Sequence, residues 1–440
     1  MQRFPFTMAN ILPFPALRYN PARVRLGEVV TQPYDKITAE MQERYYAASP
    51  YNLVRIILGK REPGDNGQNL YTRAATAFSE WRKDAILIQD RDPLLYAYAQ
   101  EFAIPGFPEK RLERLGFIGL GQLEPYDAGV VFRHEQTHSR PKADRLNLLR
   151  ATRAHFGQLF MLYNDPAGEI DSALAKVARY PAEIEVRDEY DVLHRLWPIP
   201  GLVEFIRRRM GNTQLIIADG HHRYETALNY QRERREQDSA APPPGEAAYD
   251  RVMMTFINMY SEGLVILPTH RVIAGLESFR EEQFMEAARV FFDVEPLQVS
   301  DAAQATAILQ SAGNDSTALL AVTQGSSYLL RARRAEVEQT LGQLSAHQRR
   351  LDVVVLHKLG LELVLGISEE AIREQRYISY LRDASEAIAR VRNGANVAFL
   401  MNPVRIEQVR DTAFAGEVLP QKSTDFYPKL LSGLTIYALE

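Results

Sequence analysis

The sequence contains no cysteine, and this absence excludes several kinds of chemistry at once. A chain without thiols has no disulfides, no thiolate nucleophile, no CxxC redox centre and no cysteine-ligated zinc. Any reaction is therefore left to histidine, carboxylate, hydroxyl, lysine and arginine side chains.

Long apolar runs and an excess of one charge are also missing. No stretch approaches the ~18 consecutive apolar residues of a membrane span, and Pro5, Pro13 and Pro15 interrupt the apolar start, so we expect neither a span nor a cleaved signal. The 52 Lys and Arg residues against 56 Asp and Glu residues leave a formal net charge of −4. We therefore expect a cytoplasmic protein without general affinity for nucleic acid or membranes, in which any anion site is local.

The composition of what is present is that of a globular protein, with 46% hydrophobic and 25% charged residues over 440 positions, which excludes disorder and collagen-like structure. Strand-like and helix-like patterns follow one another and predict an α+β chain. We divide it into an N-terminal α/β region (1–110), a central module (111–275) and a C-terminal α/β region (276–440). The charged and proline-rich segment 232–249 is predicted to be an exposed loop inside the central module. Oligomeric state is not indicated.

Three local patterns make further structural predictions. Thr38 is placed to cap a helix. The apolar run Leu53–Leu58 predicts a buried strand. Intervals of three and four separate Leu146, Leu149, Arg153, Phe156 and Phe160, which predicts one amphipathic helix.

The segment LIIADGHHRYETAL, residues 215–228, carries the most specific pattern. The apolar run Leu215–Ala218 predicts a strand that stops at Asp219 and Gly220, and a helix follows. Unpaired N–H groups and the helix dipole make such a helix start an anion site. Gly220 permits the turn, and Arg223 can bind two phosphate oxygens.

The other polar side chains of this turn extend the hypothesis. His221 and His222 lie within reach of a bound anion, and Asp219 could hold a metal, orient His222 or accept a substrate proton. A purely structural alternative is that Asp219 caps the helix, Arg223 pairs with a neighbour and the histidines are surface polar groups.

Two resemblances start from these residues. DGHHRYETA is similar to the phosphate-binding turn of the ParB/sulfiredoxin-like fold. Much of the chain also resembles the bacterial and archaeal family known as domain of unknown function 1015. The segments that carry this second resemblance are VTQPYD (30–35), SPYNLVR (49–55), His134 and Glu135 with Thr137, PKADRL (141–146), DGHHRYETA (219–227), LPTHR (267–271) and QKSTDFYPKLLSGL (421–434).

The first resemblance implies a central ParB/sulfiredoxin-like module that holds nucleotide phosphates at Asp219–Arg223. Members of that fold include free serine kinases that use ADP or ATP, ATP-dependent sulfiredoxins, and ParB proteins that bind CTP. His221 stands where sulfiredoxins have their cysteine, so sulfinic acid reduction is excluded. The chain lacks the basic helical DNA-binding unit of ParB proteins, so no nucleic-acid partner is expected.

The serine kinase resemblance implies a catalytic arrangement. Glu135 in FRHEQT resembles the catalytic glutamate of those kinases and is expected to accept the hydroxyl proton. Backbone amides at 220–223, with His222 and Arg223, would clamp the phosphates of ATP or ADP, and Mg²⁺ would arrive with the nucleotide and touch Asp219. The expected activity is phosphoryl transfer to a small hydroxylated metabolite, with free L-serine as the named acceptor. A phosphatase or nucleotide hydrolase, and a nucleotide-binding regulator, are the alternatives.

A competing motif overlaps Glu135. His134-Glu135-Gln136-Thr137-His138 reads HExxH, which on a helix binds zinc with the glutamate as base. The strand-like GVVF before it and Pro141 after it leave no regular helix. We therefore expect no zinc.

Other polar residues are candidates on weaker grounds, because each also fits a solvated helix turn, a strand end or a solvated loop. Lys142 and Arg145 are candidates for phosphate binding, and Asp35 for a substrate amine or a metal. The remaining candidates for substrate or phosphate contacts are His134, His270, Arg271, Lys422, Ser423 and Lys429.

Overall fold

A computed structural model describes residues 9–66, 69–135, 140–238, 240, 242–314 and 316–440, with the side chains of 140–142 left out. The chain forms two compact units, each assembled from separate segments. The first contains residues 9–133, 140–265 and 428–440. The second contains residues 134, 135 and 266–427.

The first unit is built on a mixed sheet of nine strands. Its eight-strand path runs, in spatial order, through Val131–Phe132, Leu215–Asp219, Leu159–Tyr163, Arg251–Asn258, Phe107–Gln122, Tyr96–Ile104, Leu193–Pro198 and Ile184–Arg187. The ninth strand, Ile11–Leu12, pairs with Phe107–Gln122. Two small pairs complete the strands: Leu17–Tyr19 with Leu87–Gln89, and Ala154–His155 with Tyr437–Ala438.

Helices surround this sheet. They are Leu26–Val29, Ala39–Ala48, Val54–Ile57, Asn69–Lys83, Arg140–Thr152, Glu169–Val177, Val203–Met210 and His221–Gln237, with 3₁₀ turns at Tyr34–Lys36, Tyr126–Ala128, Pro200–Leu202 and Ala248–Asp250. The strand Leu159–Tyr163 is buried along its whole length, and Tyr224 and Ala227 of the last helix belong to the same apolar core. Helix His221–Gln237 therefore packs its apolar face into the core that covers the nine-stranded sheet.

The second unit contains a six-stranded sheet in which all neighbours are antiparallel. Its strands, in spatial order, are Phe292–Leu297, Ser327–Ala332, Ala318–Val322, Val397–Leu400, His270–Ile273 and Ile378–Leu381, and a short pair joins Val265–Leu267 to Asp425–Tyr427. Its helices are Glu281–Ala288, Ala302–Ala312, Arg334–Thr340, Asp352–Val355, the π-helix Leu356–Val364, Glu369–Arg373, Ala384–Arg392 and Ile406–Phe414, with a 3₁₀ turn at Gln348–Arg350. With helices and mixed or antiparallel sheets in both units, the α+β prediction is confirmed. None of the helices in the described part of the chain has the length and apolar character needed to cross a bilayer.

Local structure agrees with the sequence where the signal is local. The Thr38 side chain accepts the Met41 N–H at 3.2 Å, as predicted. The predicted strand Leu53–Leu58 is wrong, since residues Val54–Ile57 form a short helix whose first N–H is accepted by the Asn52 side chain at 2.9 Å. Three of its four residues are buried, so periodicity could not distinguish helix from strand.

Two longer predictions fail in part. The helix predicted through Phe160 ends at Thr152, because Arg153 has a left-handed φ of 49° and the chain then enters strands. Segment 232–249 is not a loop throughout, since the helix from His221 continues to Gln237. Its arginines and glutamates are good helix formers. The buried Asp250 accepts hydrogen bonds from Arg235, Gly245 and Ala247 and so holds the remaining loop.

Candidate functional site

The turn predicted from the sequence is present in the first unit. Strand Leu215–Asp219 ends, Gly220 adopts a left-handed φ of 101°, and the helix begins at His221. A Cβ atom on Gly220 would lie 2.7 Å from Leu159 Cδ2, so both the conformation and the space require glycine. The first turn of this helix directs backbone N–H groups and partial positive charge towards the end of the strand.

Two cations meet the carboxylate of Asp219 at this turn. Arg223 donates to Oδ2 at 2.7 Å, and Lys429 donates to Oδ1 at 2.9 Å. The three side chains keep only 10–20% of their exposure, with Lys429 the most buried. We call Asp219, Gly220, Arg223 and Lys429 the turn cluster. Lys429 was a weak candidate in the sequence, and the structure joins it directly to the strongest one.

The charges of the turn cluster have a clear effect on Asp219. Burial by itself would raise the pKa of this carboxyl, but the charges of Lys429 and Arg223, with a smaller effect from Lys36, hold it well below its usual range. Two cations on one carboxylate leave positive charge in excess within the turn cluster, in a chain whose formal net charge is −4. An anion is therefore favoured beside this turn.

We expect the turn cluster to contribute to acid stability. Since the folded pKa of Asp219 is lower than the unfolded value of about 3.9, its contribution is complete above that pH and is lost as pH falls through the folded pKa. Asp219→Asn should therefore make the free energy of unfolding depend less on pH below about 4, in urea titrations at fixed pH. Asp127→Asn, an exposed and unpaired position, is the control. An unchanged slope in Asp219→Asn would contradict the assignment.

The position of Lys429 depends on a buried arginine that no sequence pattern indicated. Arg114 is fully buried and donates to the carbonyl of Pro428 at 2.5 Å and to Gln100 Oε1 at 2.5 Å. The Gln100 amide in turn donates to the carbonyl of Lys429 at 2.8 Å. The Arg114 guanidinium also lies 4.7 Å from the ring centroid of Phe160. Arg114 therefore acts through the backbone of 428–429 as a positioning residue.

The guanidinium of Arg223 is held on its other side by the main chain. Arg223 donates to the carbonyl of Gln158 at 2.5 Å. The buried Gln158 side chain is itself fixed, since it accepts from Thr255 at 2.8 Å and donates to Thr435 at 3.3 Å. Arg223 is thus held between Asp219 and a rigid carbonyl, which reduces the conformational entropy that binding an anion would cost.

The segment around Asp35 also belongs to this unit. Tyr34–Lys36 forms a 3₁₀ turn with Asp35 exposed, and Tyr34 lies under Arg145, whose guanidinium carbon is 4.1 Å from the ring centroid. Arg145 is engaged by Asp144 at 2.9 Å and by the carbonyl of Ile57 at 2.7 Å. Arg145 thus has a carboxylate and a main-chain carbonyl as partners, as Arg223 does, and its role in phosphate binding stays a prediction.

A small pocket of about 70 Å³ adjoins the turn cluster. It is lined by Tyr34, Arg145, Gly157, Arg223 and Ser432, together with apolar side chains. Of the turn histidines, His221 is buried and His222 is half-buried. The side chain of Lys142 and the whole of His138 lie outside the described residues.

Further predicted residues come together in the second unit. The carboxylate of Glu135 accepts the backbone N–H of Lys422 at 2.6 Å, and Arg271 donates to the carbonyl of Lys422 at 3.0 Å. Lys422 has a left-handed φ of 56° while its side chain is exposed. Burial lowers the pKa of Arg271 to about 10, although the charges of Tyr380 and Glu135 oppose this. We call Glu135, Arg271 and Lys422 the loop cluster.

The other candidates in this unit have structural partners. His134 shares a 2.7 Å hydrogen bond with Thr424, Ser423 donates to the carbonyl of Pro420 at 2.5 Å, and His270 accepts the Met401 N–H at 3.1 Å. Burial lowers the pKa of His270 to about 4. Ser423 and His270 thus bond the main chain, and His134 bonds the Thr424 side chain.

Metal binding would require carboxylate and imidazole donors that come close together. Within the described ranges, no three His, Asp or Glu side chains come together as a metal site. Each oxygen of Asp219 already accepts from a cation, so a divalent ion there would be repelled by Lys429 and Arg223. Asp219 therefore does not fit the direct magnesium contact that the sequence suggested.

Comparison with known proteins gives a family but no activity. Residues 11–354 match the family described as protein of unknown function (DUF1015). No curated protein matches the chain.

Several solved structures are similar to part of the chain. A conserved hypothetical protein from Pyrococcus furiosus is 14% identical over 68% of this chain and 87% of its own, with a TM-score of 0.32. A free serine kinase variant in complex with ADP is 12% identical over 71% of this chain and 89% of its own, with a TM-score of 0.36. C-terminally truncated SbnI from Staphylococcus aureus is 11% identical over 72% and 87%, with a TM-score of 0.35. Likenesses this weak carry no conclusion about chemistry.

Proposed function

The chain belongs to the DUF1015 family of proteins of unknown function, and we propose that it is a nucleotide-dependent phosphotransferase acting on a small hydroxylated metabolite. The observation that carries the proposal is the turn cluster, where two held cations and a helix N-terminus surround one carboxylate. Helix N-termini with arginine and lysine are well suited to phosphate groups. The similarity of DGHHRYETA to the phosphate-binding turn of the ParB/sulfiredoxin-like fold supports the same proposal.

Phosphoryl transfer requires mainly positioning and neutralisation of charge. Arg223, with its planar fork, would bind two phosphate oxygens, and Lys429 would supply a point charge beside them. Asp219 would keep both cations oriented towards the phosphates, and His222 would add a polar contact at the first helical turn. Because the cations are already held before a ligand arrives, little reorganisation is needed in the transition state.

Magnesium would be bound through the nucleotide rather than through Asp219. Mg²⁺ keeps several waters and prefers substrate phosphates to a cage of protein ligands. When bound, it would neutralise charge between the phosphates. The protein's own contribution is then the pair of cations and the backbone amides.

Glu135 is proposed as the base that accepts the hydroxyl proton. This role rests on the resemblance of FRHEQT to the catalytic segment of free serine kinases. The Glu135 carboxylate is oriented by the Lys422 N–H, and a carboxylate with one oxygen fixed in this way is a suitable general base. Free L-serine is the first acceptor to test on the same grounds.

One assay separates this function from its alternatives. Purified protein is incubated with Mg²⁺, ATP or ADP, and L-serine or an amino-acid mixture, and the phosphorylated product and free phosphate are both measured. We expect a phosphorylated hydroxyl compound that requires the nucleotide, and its loss in Arg223→Ala and Glu135→Gln with folding intact. Free phosphate without a phosphorylated acceptor would indicate a hydrolase. Nucleotide binding without turnover would indicate a regulator. Full transfer by Glu135→Gln would remove Glu135 from the mechanism.

A further inference from the structure

The second unit contains a large polar pocket at the ends of three inner strands of its six-stranded sheet. The pocket encloses about 980 Å³. It lies where strand Ala318–Val322 begins and where strands Ser327–Ala332 and Val397–Leu400 end, because Thr317, Ala332 and Asn402 line it. Ligand sites in proteins commonly have volumes of about 300–1,000 Å³, so this pocket has the size of a small-molecule site. It shares no residue with the turn cluster or the loop cluster.

Arginine side chains dominate the charge of this pocket. They come from three segments: the start of helix Arg334–Thr340, the 3₁₀ turn Gln348–Arg350 and the residue before helix Ile406–Phe414. The four that line the pocket are Arg334, Arg349, Arg350 and Arg405. The acidic side chains among its described lining residues are Glu338 and Asp352, which leaves an excess of two positive charges.

Of the four arginines, Arg334 is paired with a carboxylate and Arg349 donates to the carbonyl of Gly342 at 3.5 Å. Within the described part of the chain, Arg350 and Arg405 form no ion pair, and both are exposed. The backbone at both positions is nevertheless tied together, because Gln408 donates to the carbonyl of Arg350 at 3.3 Å and accepts the Arg405 N–H at 2.9 Å. Two guanidinium groups are thus fixed at their bases by one glutamine and are available to an anion.

The floor of the pocket supplies oriented polar groups. The Asp352 carboxyl is hydrogen-bonded by the side chains of Thr317 and Asn402, and burial raises its pKa to about 7, although Arg405 acts in the opposite direction. Asn402 also donates to the carbonyl of Leu309 at 3.1 Å, which fixes its amide. A carboxyl that is readily protonated near neutral pH adds little repulsion to an incoming anion and can donate a hydrogen bond to it.

We propose that this pocket binds a small polyanionic metabolite, one that carries a phosphate or several carboxylates, through Arg350 and Arg405. Arginine forks pair with both kinds of group in bidentate geometry. The concave shape and the amide and hydroxyl groups of the lining favour a small molecule over an extended polymer. The site does not depend on the proposed phosphotransferase activity.

The test uses the full chain with two defined probes, pyrophosphate for the phosphate class and citrate for the polycarboxylate class. Isothermal titration calorimetry measures the affinity of each probe for the unaltered protein and for the double variant Arg350→Gln/Arg405→Gln. We expect saturable binding of at least one probe, weakened at least tenfold in the double variant. A tenfold loss corresponds to about 1.4 kcal/mol, which is less than two charge-assisted hydrogen bonds are expected to contribute. The probe whose binding the double variant weakens identifies the class of ligand.

A matched variant separates the pocket from general surface charge. Arg331→Gln/Arg333→Gln removes two arginines of the same unit that are paired with Glu295 and Asp293 and do not line the pocket. This control should bind the probe like the unaltered protein, and thermal unfolding without a probe should show that both double variants are folded. The proposal is overturned if neither probe saturates, if the pocket variant binds as well as the control, or if a single-stranded oligonucleotide binds more tightly than both probes.

Discussion

Replacing Arg114 with leucine should strongly destabilise the first unit. The change leaves two buried acceptors, Gln100 Oε1 and the carbonyl of Pro428, without their donor. Each unsatisfied buried group costs about 1–3 kcal/mol, so the two together should lower the free energy of unfolding by about 2–6 kcal/mol. Urea unfolding followed by circular dichroism measures the loss as a lower midpoint.

The same strand offers a matched control for this experiment. Arg111 lies three residues away and forms surface ion pairs with Glu101 and Asp191. Arg111→Leu should cost less than about 1 kcal/mol, since exposed ion pairs contribute little. Equal losses in the two variants would show that the buried contacts of Arg114 with segment 428–429 have no special importance. Arg114→Lys keeps the charge but cannot form both contacts at once, so we expect a loss of stability between those of Arg114→Leu and Arg111→Leu.

The largest effect on activity is expected at Lys429. Under the proposed function, Lys429→Gln removes one of the two cations that the turn cluster presents to the phosphates. Removal of one preorganised charge or donor typically lowers the rate by about 10²–10³-fold, and we expect a fall of that size in kcat/KM for phosphoryl transfer. Steady-state assays with varied nucleotide concentration measure it, and equilibrium nucleotide binding shows whether the loss lies in binding or in the chemical step.

Two further variants make the Lys429 result interpretable. Lys176→Gln removes an exposed lysine of the same unit and should leave transfer unchanged. Lys429→Arg keeps the charge with a different shape and should recover part of the activity if charge is what matters. Unaltered transfer in a folded Lys429→Gln protein would show that the turn cluster serves stability rather than phosphate binding.

The turn at Asp219–Arg223 was the part of the site most accessible to sequence reasoning. An apolar run that stops at Asp-Gly and continues in a helical pattern is a local signal, and the strand, the left-handed Gly220 and the helix all appear as predicted. The α+β class and the family were likewise readable, because hydrophobic patterns and short motifs are spread along the chain. Where the apolar pattern had no period, as at Leu53–Leu58, the prediction was wrong for the reason that buried helices and buried strands look alike.

Contacts between distant segments were decided by the tertiary structure alone. Lys429 reaches Asp219 from 210 positions away, and nothing in PQKSTDFYPK distinguishes a lysine held in a cluster from one in a solvated loop. Arg114 precedes an ordinary apolar run, so the sequence could not indicate that it is buried against the carbonyl of Pro428. Glu135 and Lys422 were both candidates, but only the fold shows that the Glu135 carboxylate accepts the backbone N–H of Lys422.

By itself, the amino-acid sequence determined that chemistry here must use oxygen and nitrogen groups, that the chain is α+β, and that a glycine turn joins a strand to a helix at Asp219 and Gly220. The tertiary structure decided which cations stand at that turn, what holds them, and which other arginines share a pocket. The physical reason is range: helix starts, glycine turns and strand patterns follow from neighbours along the chain, whereas the partners of a charged side chain depend on which distant segments pack together.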